Sequence, residues 1–166
     1  MQRLFLDYFK EKEEYAVSRQ WIQTLFCSLI KELCSLDRRR YTLSVSFVNE
    51  STMKELNCMY RGQDGVTDIL SFEQDERFIQ ADGHLIDLGE LIVCIPYIKK
   101  HAQETGRPWR FELRHLCIHG FLHLLGYNHE TRKDRRSMEC VEDKLLQKQF
   151  SGHVRYSTLH PHAWTV

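Results

Sequence analysis

The chain has 166 residues, a length that fits one compact domain with its own core. Lysine plus arginine and aspartate plus glutamate each number 23, so the net charge is zero. This balance argues against a protein that coats nucleic acid by charge alone, although a local basic groove stays compatible with it. No apolar run is long enough to span a membrane, and the N-terminal stretch is charged too early for a signal peptide. The six cysteines form no C-x-x-C pair, so we expect free thiols and a reducing compartment.

The first half of the chain predicts the order strand, helix, strand, helix. RLFLDYF is typical of a short strand, and the alternating pattern of YTLSVSFV predicts a half-buried one. NESTMKELNCMYRG predicts a helix that is capped by Asn49 or Ser51 and ended by Gly62. Between the two strands, EYAVSRQWIQTLFCSLIKELCSL predicts a helix whose core face carries five apolar residues at helical spacing: Val17, Trp21, Leu25, Leu29 and Leu33.

The second half predicts two strands followed by three helices. TDILSFE and LGELIVCI are the strands, the latter buried on both faces, and ERFIQADGHLID between them is expected to be a loop. PYIKKHAQETG is a helix that Pro96 opens and Gly106 closes, and RPWRFELRHLCIHGFLHLLG is a strong helix closed by Gly126. RKDRRSMECVEDKLLQKQF predicts a last amphipathic helix. We therefore expect one layered α+β or α/β domain over residues 1–150 and a mobile tail over residues 151–166.

Three histidines near the end of the strong helix share a metal-ligand spacing. They are His119, His123 and His129 in the frame H-x-x-x-H-x-x-G-x-x-H, the spacing of one class of zinc proteases. The first two lie one helical turn apart on one face, and Gly126 allows the chain to turn back with the third. Three protein ligands leave an open position, which is the arrangement of a catalytic rather than a structural zinc site.

The protease glutamate that would follow the first histidine is replaced by Gly120. A metal can polarise a phosphoryl oxygen and lower the pKa of its bound water to about 7, so phosphodiester hydrolysis does not require a separate carboxylate base. We also expect a small residue here to leave room above the metal for a nucleotide. His115, one further turn back, is expected to pack beside the ligands rather than to bind the metal.

The stretch HGFLHLLGYNH resembles the signature of the YbeY endoribonuclease family, H-G-x-L-H-L-x-G-Y-D-H. LNCMYRGQDGVTDILSF resembles the family's segment of helix end, Arg-Gly turn and Thr-Asp strand, and LGELIVC resembles its third strand. The resemblance covers residues 40–148. It implies a zincin-like α+β fold, with a mixed sheet of about four strands surrounded by about five helices.

The same resemblance implies a single-strand-specific, metal-dependent endoribonuclease of the cytoplasm. It would act in 16S rRNA 3′-end maturation and in late ribosome quality control, with rRNA and the small ribosomal subunit as partners and no role for DNA or membranes. By residue, the resemblance implies that His119, His123 and His129 hold one Zn²⁺ ion and that Arg61 is essential for catalysis.

The chain departs from the family pattern at three positions: Asn128 replaces the usual aspartate, Val66 replaces a frequent proline, and Glu73 replaces another. Asn128 matters most, because an asparagine accepts no proton and carries no charge. None of the three departures falls on a proposed ligand or on Arg61.

Other polar residues are candidates for substrate contact. The turn YRGQDG is a suitable place for Arg61 to reach a phosphate. Three residues of the adjoining strand are predicted either to contact substrate or to cap and hydrogen-bond the turn: Thr67, Asp68 and Ser71. Tyr127 either stacks on a base or packs. The preferred phosphate-binding surface is a basic cluster after the histidines that consists of Arg132, Lys133, Arg135 and Arg136. The other candidate basic groups are Arg38–Arg40, Lys99–Lys100, and Arg107 with Arg110 and Arg114.

Two other functions remain open. The first is a metallopeptidase-like hydrolase that recruits another carboxylate, such as Glu130 or Glu90, as its base. The second is a non-catalytic ribosome assembly factor whose metal is structural. The first predicts peptide cleavage without RNA cleavage, and the second predicts that loss of His123 unfolds the domain.

Overall fold

A computed structural model describes residues 4–34, 39–74 and 85–149. The chain divides into two compact units, residues 1–126 and residues 127–166. Among the described residues, the first unit contains four strands, four α-helices and a short 3-10 helix (Glu13–Tyr15), and the second contains one α-helix. In chain order the elements are β1 (Leu4–Lys10), α1 (Arg19–Leu33), β2 (Arg40–Val48), α2 (Glu50–Arg61), β3 (Ile69–Phe72), β4 (Leu85–Cys94), α3 (Ile95–Thr105), α4 (Trp109–Leu124) and α5 (Arg132–Gln149).

The four strands form one mixed sheet in the order β1-β2-β4-β3. β1 and β2 are parallel, β2 and β4 are parallel, and β3 runs antiparallel to β4. Each parallel connection passes through a helix, as parallel pairing requires. The predicted α+β class, with a mixed four-stranded sheet and five helices, is confirmed.

The two faces of the sheet differ in what covers them. On one face α1 and α4 meet through the rings of Phe26 and Phe121, whose centroids are 5.4 Å apart, above fully buried Val45 and Leu91. Beneath α2 the opposite face is apolar, and Met53 packs there in a cluster of five buried residues. Beyond α2 this second face carries the polar side chains of β2: Thr42, Ser44 and Ser46.

Most predicted helix ends are confirmed. The side chain of Asn49 accepts a hydrogen bond from the Thr52 amide at 3.0 Å, and Gly62 ends α2 with a φ of 67°. Pro96 lies in the first turn of α3, and Gly106 follows its end with a φ of 69°. One further cap was not foreseen: the Glu11 carboxylate, just beyond β1, accepts the Asn49 amide at 2.7 Å. That carboxylate comes from a distant part of the chain, so local patterns do not report it.

Two predicted elements needed correction. α1 begins at Arg19 behind the cap of Ser18, and its buried face consists of Ile22, Leu25, Phe26, Leu29 and Ile30. Trp21 and Leu33, which were predicted to face the core, are only half-buried, because the stripe that meets α4 is rotated from the predicted one. β4 begins at Leu85, inside the stretch predicted to be a loop, because its first residues pair with β2. The predicted tail, residues 151–166, lies outside the described residues.

All six cysteines are free thiols, and Cys94 and Cys117 are buried. Within residues 4–34, 39–74 and 85–149, no helix combines the length and apolar character that crossing a membrane requires.

Candidate metal centre

Two of the predicted ligands form a close pair on α4. His119 and His123 are half-buried, and most of the residues around them on this helix are buried. Their Nε2 atoms are 3.1 Å apart, and their rings meet edge to face at 78° with centroids 4.7 Å apart. The i,i+4 spacing therefore directs the same ring nitrogen of both residues toward one point.

The helix ends directly after this pair. The Gly126 amide donates to the His123 carbonyl at 2.8 Å, and Gly126 has a φ of 83°, as predicted for a glycine that ends a helix. His129 follows three residues later and is exposed. One ligand atom from each of His119, His123 and His129 lies within 4.8 Å of the others.

These residues fit a metal ion. Two imidazole nitrogens that bind one tetrahedral zinc at bonds of about 2.0–2.1 Å are about 3.3 Å apart. The 3.1 Å between the Nε2 atoms of His119 and His123 is close to that distance. A neutral imidazole set of this kind also suits several other divalent ions, so the ligand types do not select zinc.

Gly120 is required by packing, not by access to the metal. A Cβ at this position would lie 2.9 Å from Ile69 Cδ1, 2.9 Å from Leu91 Cδ2 and 3.0 Å from Ser71 Oγ. The missing side chain therefore faces β3 and β4. The expectation that Gly120 leaves room for a nucleotide was wrong. A glutamate here would run into the sheet, so the close approach of α4 explains why the protease base is absent.

Asp68, just before β3, is the buried carboxylate associated with the histidines. One oxygen accepts the Ile69 amide at 2.7 Å and the Thr67 hydroxyl at 3.2 Å, and the other, Oδ2, is buried without a hydrogen bond among the described residues. Burial raises the pKa of the Asp68 carboxyl, while these hydrogen bonds and the nearby His119 lower it in part. Thr67 thus has the turn-stabilising contact predicted for it, and Ser71 lies against α4.

Arg61 is the last residue of α2 and is exposed. Within the described residues its guanidinium has no ion pair and no hydrogen bond. A cation held at a helix end without an acidic partner is available to an anionic ligand.

Two other residues named in the sequence analysis lie on the N-terminal side of the histidine pair. His115 is buried, as expected for a histidine that packs. Arg107, which was grouped with candidate RNA contacts, instead pairs with Glu112 at 3.2 Å. Glu112 is almost fully buried, and an acidic side chain in the first turn of a helix also interacts favourably with the helix dipole. The feature of the sequence that could have indicated this buried ion pair is Glu112 itself, an acidic residue within an otherwise apolar helix face.

The two carboxylates considered as alternative bases, Glu90 and Glu130, have different environments. Glu90 accepts a hydrogen bond from the Ser46 hydroxyl at 3.0 Å. Because side chains alternate along a strand, Glu90 lies on the sheet face opposite to Leu91, which packs against α4. Glu90 is therefore excluded as a base at the α4 histidines. Glu130 is exposed.

Asn128 has a local structural role. Its side-chain oxygen accepts the Glu130 amide at 3.3 Å, so it stabilises the turn that contains His129. An aspartate would supply the same acceptor, since both side chains form this kind of turn. The departure from the family pattern is therefore compatible with the turn.

Comparisons with known proteins relate the chain to one family. The family model described as Endoribonuclease YbeY matches residues 7–149. The relative from Persephonella marina, named Endoribonuclease YbeY, is 33% identical over 148 residues, which cover 89% of this chain and 92% of the relative. The one from Geobacillus thermodenitrificans, of the same name, is 37% identical over 151 residues, covering 86% and 94%. A solution structure from Thermotoga maritima is 28% identical, with a TM-score of 0.60, and the match covers 89% of this chain and 90% of that one.

Proposed function

Because the chain belongs to the YbeY endoribonuclease family, we propose that it is a metal-dependent endoribonuclease that cleaves single-stranded RNA. The observation that carries the proposal is the convergence of His119, His123 and His129 at the end of α4. Three ligands leave one position for substrate or water, as hydrolysis requires.

The histidines, Arg61 and Asp68 have different roles in the proposed reaction. His119, His123 and His129 hold the metal as neutral imidazoles, and a bound metal supplies Lewis-acid polarisation of the phosphoryl group. The exposed guanidinium of Arg61 binds and orients the phosphate, because its planar fork matches two phosphate oxygens. Asp68 stays buried beside His119 and acts as a positioning residue for that ring.

We propose zinc as the metal and rRNA as the substrate, with action in 16S rRNA 3′-end maturation and late ribosome quality control in the cytoplasm. The family resemblance supports these assignments. Exposed Arg132, Lys133, Arg135 and Arg136 at the start of α5 offer positive charge for the RNA backbone.

The decisive experiment measures RNA cleavage and metal content together. Purified protein, with and without chelator, is incubated with a labelled single-stranded RNA, and bound metal is measured by mass spectrometry. We expect cleavage that chelator abolishes and that added Zn²⁺ restores. His123→Ala should lose metal and cleavage while it stays folded by circular dichroism. His101→Ala, a histidine on α3, is the matched control and should retain both.

Different results would favour the alternatives. Cleavage of a peptide library with RNA left intact would indicate a peptidase. Unfolding of His123→Ala would indicate a structural metal and an assembly factor without catalysis. A folded, metal-loaded and fully active Arg61→Ala variant would remove Arg61 from the catalytic assignment.

A further inference from the structure

Large apolar side chains are exposed at two places in the part of the chain that the structure describes. Phe5 and Phe9 are on β1, and Met59 and Tyr60 are at the end of α2. The α2 pair immediately precedes Arg61. Exposed apolar residues beside a residue assigned to phosphate binding indicate a surface that contacts ligand rather than core.

The ring of Tyr60 is positioned although it is exposed. It is 59% exposed, yet it meets the ring of Phe72 on β3 edge to face, with centroids 4.9 Å apart and planes at 67°. Phe72 in turn packs on the apolar cluster that contains Leu70 and Ile92. An aromatic ring that is oriented by packing loses little conformational entropy when a second ring stacks on it.

β3 connects this ring to the histidine pair. Phe72 contacts Tyr60 on one face of the strand, while its neighbour Ser71 lies against α4 at Gly120, the residue after His119. β3 has only four residues, roughly 10 Å of strand, and it is an edge strand of the sheet. A polynucleotide that crosses this edge can therefore reach both features.

Tyr60 and Arg61 together provide the two interactions that single-stranded nucleic acid uses. A guanidinium binds the backbone phosphate, and an aromatic face stacks on a base regardless of its identity. A base in a duplex has both of its faces covered by neighbouring pairs. The combination therefore favours an unpaired nucleotide.

We propose that Tyr60 is a substrate-positioning residue on which one unpaired base of the RNA stacks, next to the phosphate bound by Arg61. This inference rests on the proposed endoribonuclease function and adds a base subsite to it. The subsite accepts single-stranded RNA without strong base preference and disfavours duplex RNA.

The test is a coupling experiment between Tyr60 and a single base. The probe is a fluorescent single-stranded RNA oligonucleotide, and a series of variants each carries one abasic nucleotide at a successive position. Anisotropy in the presence of chelator gives Kd without cleavage. Cleavage with Zn²⁺ gives KM and kcat. Loss of one base–aromatic stack should raise Kd about tenfold.

We expect Tyr60→Leu to raise Kd and KM for the intact oligonucleotide by that factor, with little change in kcat. At one position of the oligonucleotide, an abasic nucleotide should raise the Kd of the unsubstituted protein by the same factor. At that position Tyr60→Leu should cause no further loss, because the stack is already absent. Tyr60→Trp should bind like the unsubstituted protein. Phe9→Leu is the matched control, since Phe9 is 55% exposed but lies on the opposite edge strand, and it should change nothing.

Three results would overturn the inference: Tyr60→Leu with unchanged Kd, losses that add at every abasic position, or no RNA binding at all. Binding with the expected coupling but without cleavage under any metal would contradict the proposed function and leave the subsite standing. RNA cleavage together with an unchanged Kd for Tyr60→Leu would support the proposed function and contradict the base subsite.

Discussion

At the residue scale, Gly120 shows that one missing side chain has a packing cause and a functional consequence. Its Cβ position is within 3.0 Å of atoms from β3 and β4, so α4 approaches the sheet as closely as a glycine allows. The protease glutamate and this close approach are incompatible. Under the proposed function, hydrolysis would therefore proceed without a carboxylate base at this position.

We expect Gly120→Glu to lower the free energy of unfolding by at least 3 kcal/mol, roughly the sum of overpacking and burial of a charged group. The measurement is urea unfolding followed by circular dichroism. Gly120→Ala is the control. Its methyl meets only the ends of side chains that can shift, and alanine has the higher helix propensity, so its effect should be far smaller. Equal stability of Gly120→Glu and the unsubstituted protein would contradict the packing argument.

The cysteines provide a second test at this scale. Burial raises the pKa of the Cys117 thiol to about 12 and that of Cys94 to about 11, so at pH 8 their thiolate forms are about one part in a thousand or less. Cys58 and Cys140 are exposed. Iodoacetamide at pH 8 should label Cys58 and Cys140 and spare Cys94 and Cys117, as read by peptide mass spectrometry. Labelling of Cys117 as fast as Cys58 would show that α4 opens readily.

At the scale of the elements, β3 depends on one glycine of β4. Gly89 has a φ of 102°, and a Cβ there would lie 2.1 Å from the Phe72 carbonyl oxygen. Asp87 accepts the Gly89 amide at 3.1 Å, next to the register shift between β2 and β4. The irregularity therefore places the backbone of β4 against the end of β3, the strand that contacts both α4 and Tyr60.

Gly89→Ala should destabilise the protein by about 2 kcal/mol or more, because the new methyl meets backbone that cannot move aside and the φ is unfavourable for alanine. Gly65→Ala is the matched control, since nothing lies within 4 Å of its Cβ position, and its change should stay within about 0.5 kcal/mol. Thermal unfolding of both variants distinguishes them. A Gly89→Ala midpoint equal to that of Gly65→Ala would refute the clash.

At the scale of the whole molecule, metal binding should be linked to stability. A ligand at a hundred times its Kd that binds only the folded state adds about 2.7 kcal/mol. For a chain of this size that corresponds to a rise in Tm of roughly 5–10 °C. Scanning fluorimetry with Zn²⁺ and with chelator should show this difference in the unsubstituted protein and lose it in His123→Ala. A metal-dependent shift that persists in His123→Ala would place the ion elsewhere.

The sequence by itself determined the features that depend on residues close in the chain. Helix caps at Asn49, Gly62 and Gly106, the strand patterns and the i,i+4 histidine pair follow from local spacing, and they were confirmed. The family resemblance was confirmed as well, because it rests on short motifs in a given order. These features can be predicted without knowing which distant segments of the chain contact each other.

Only the tertiary structure decided the contacts between distant segments. It showed that Gly120 faces β3 and β4, that Glu90 lies on the other face of the sheet, and that the buried stripe of α1 excludes Trp21. It also joined Tyr60 to Phe72 across the edge strand. Sequence periodicity identifies an apolar face but not the surface that it meets, since the pairing register and the approach of helices to the sheet depend on packing of the whole unit.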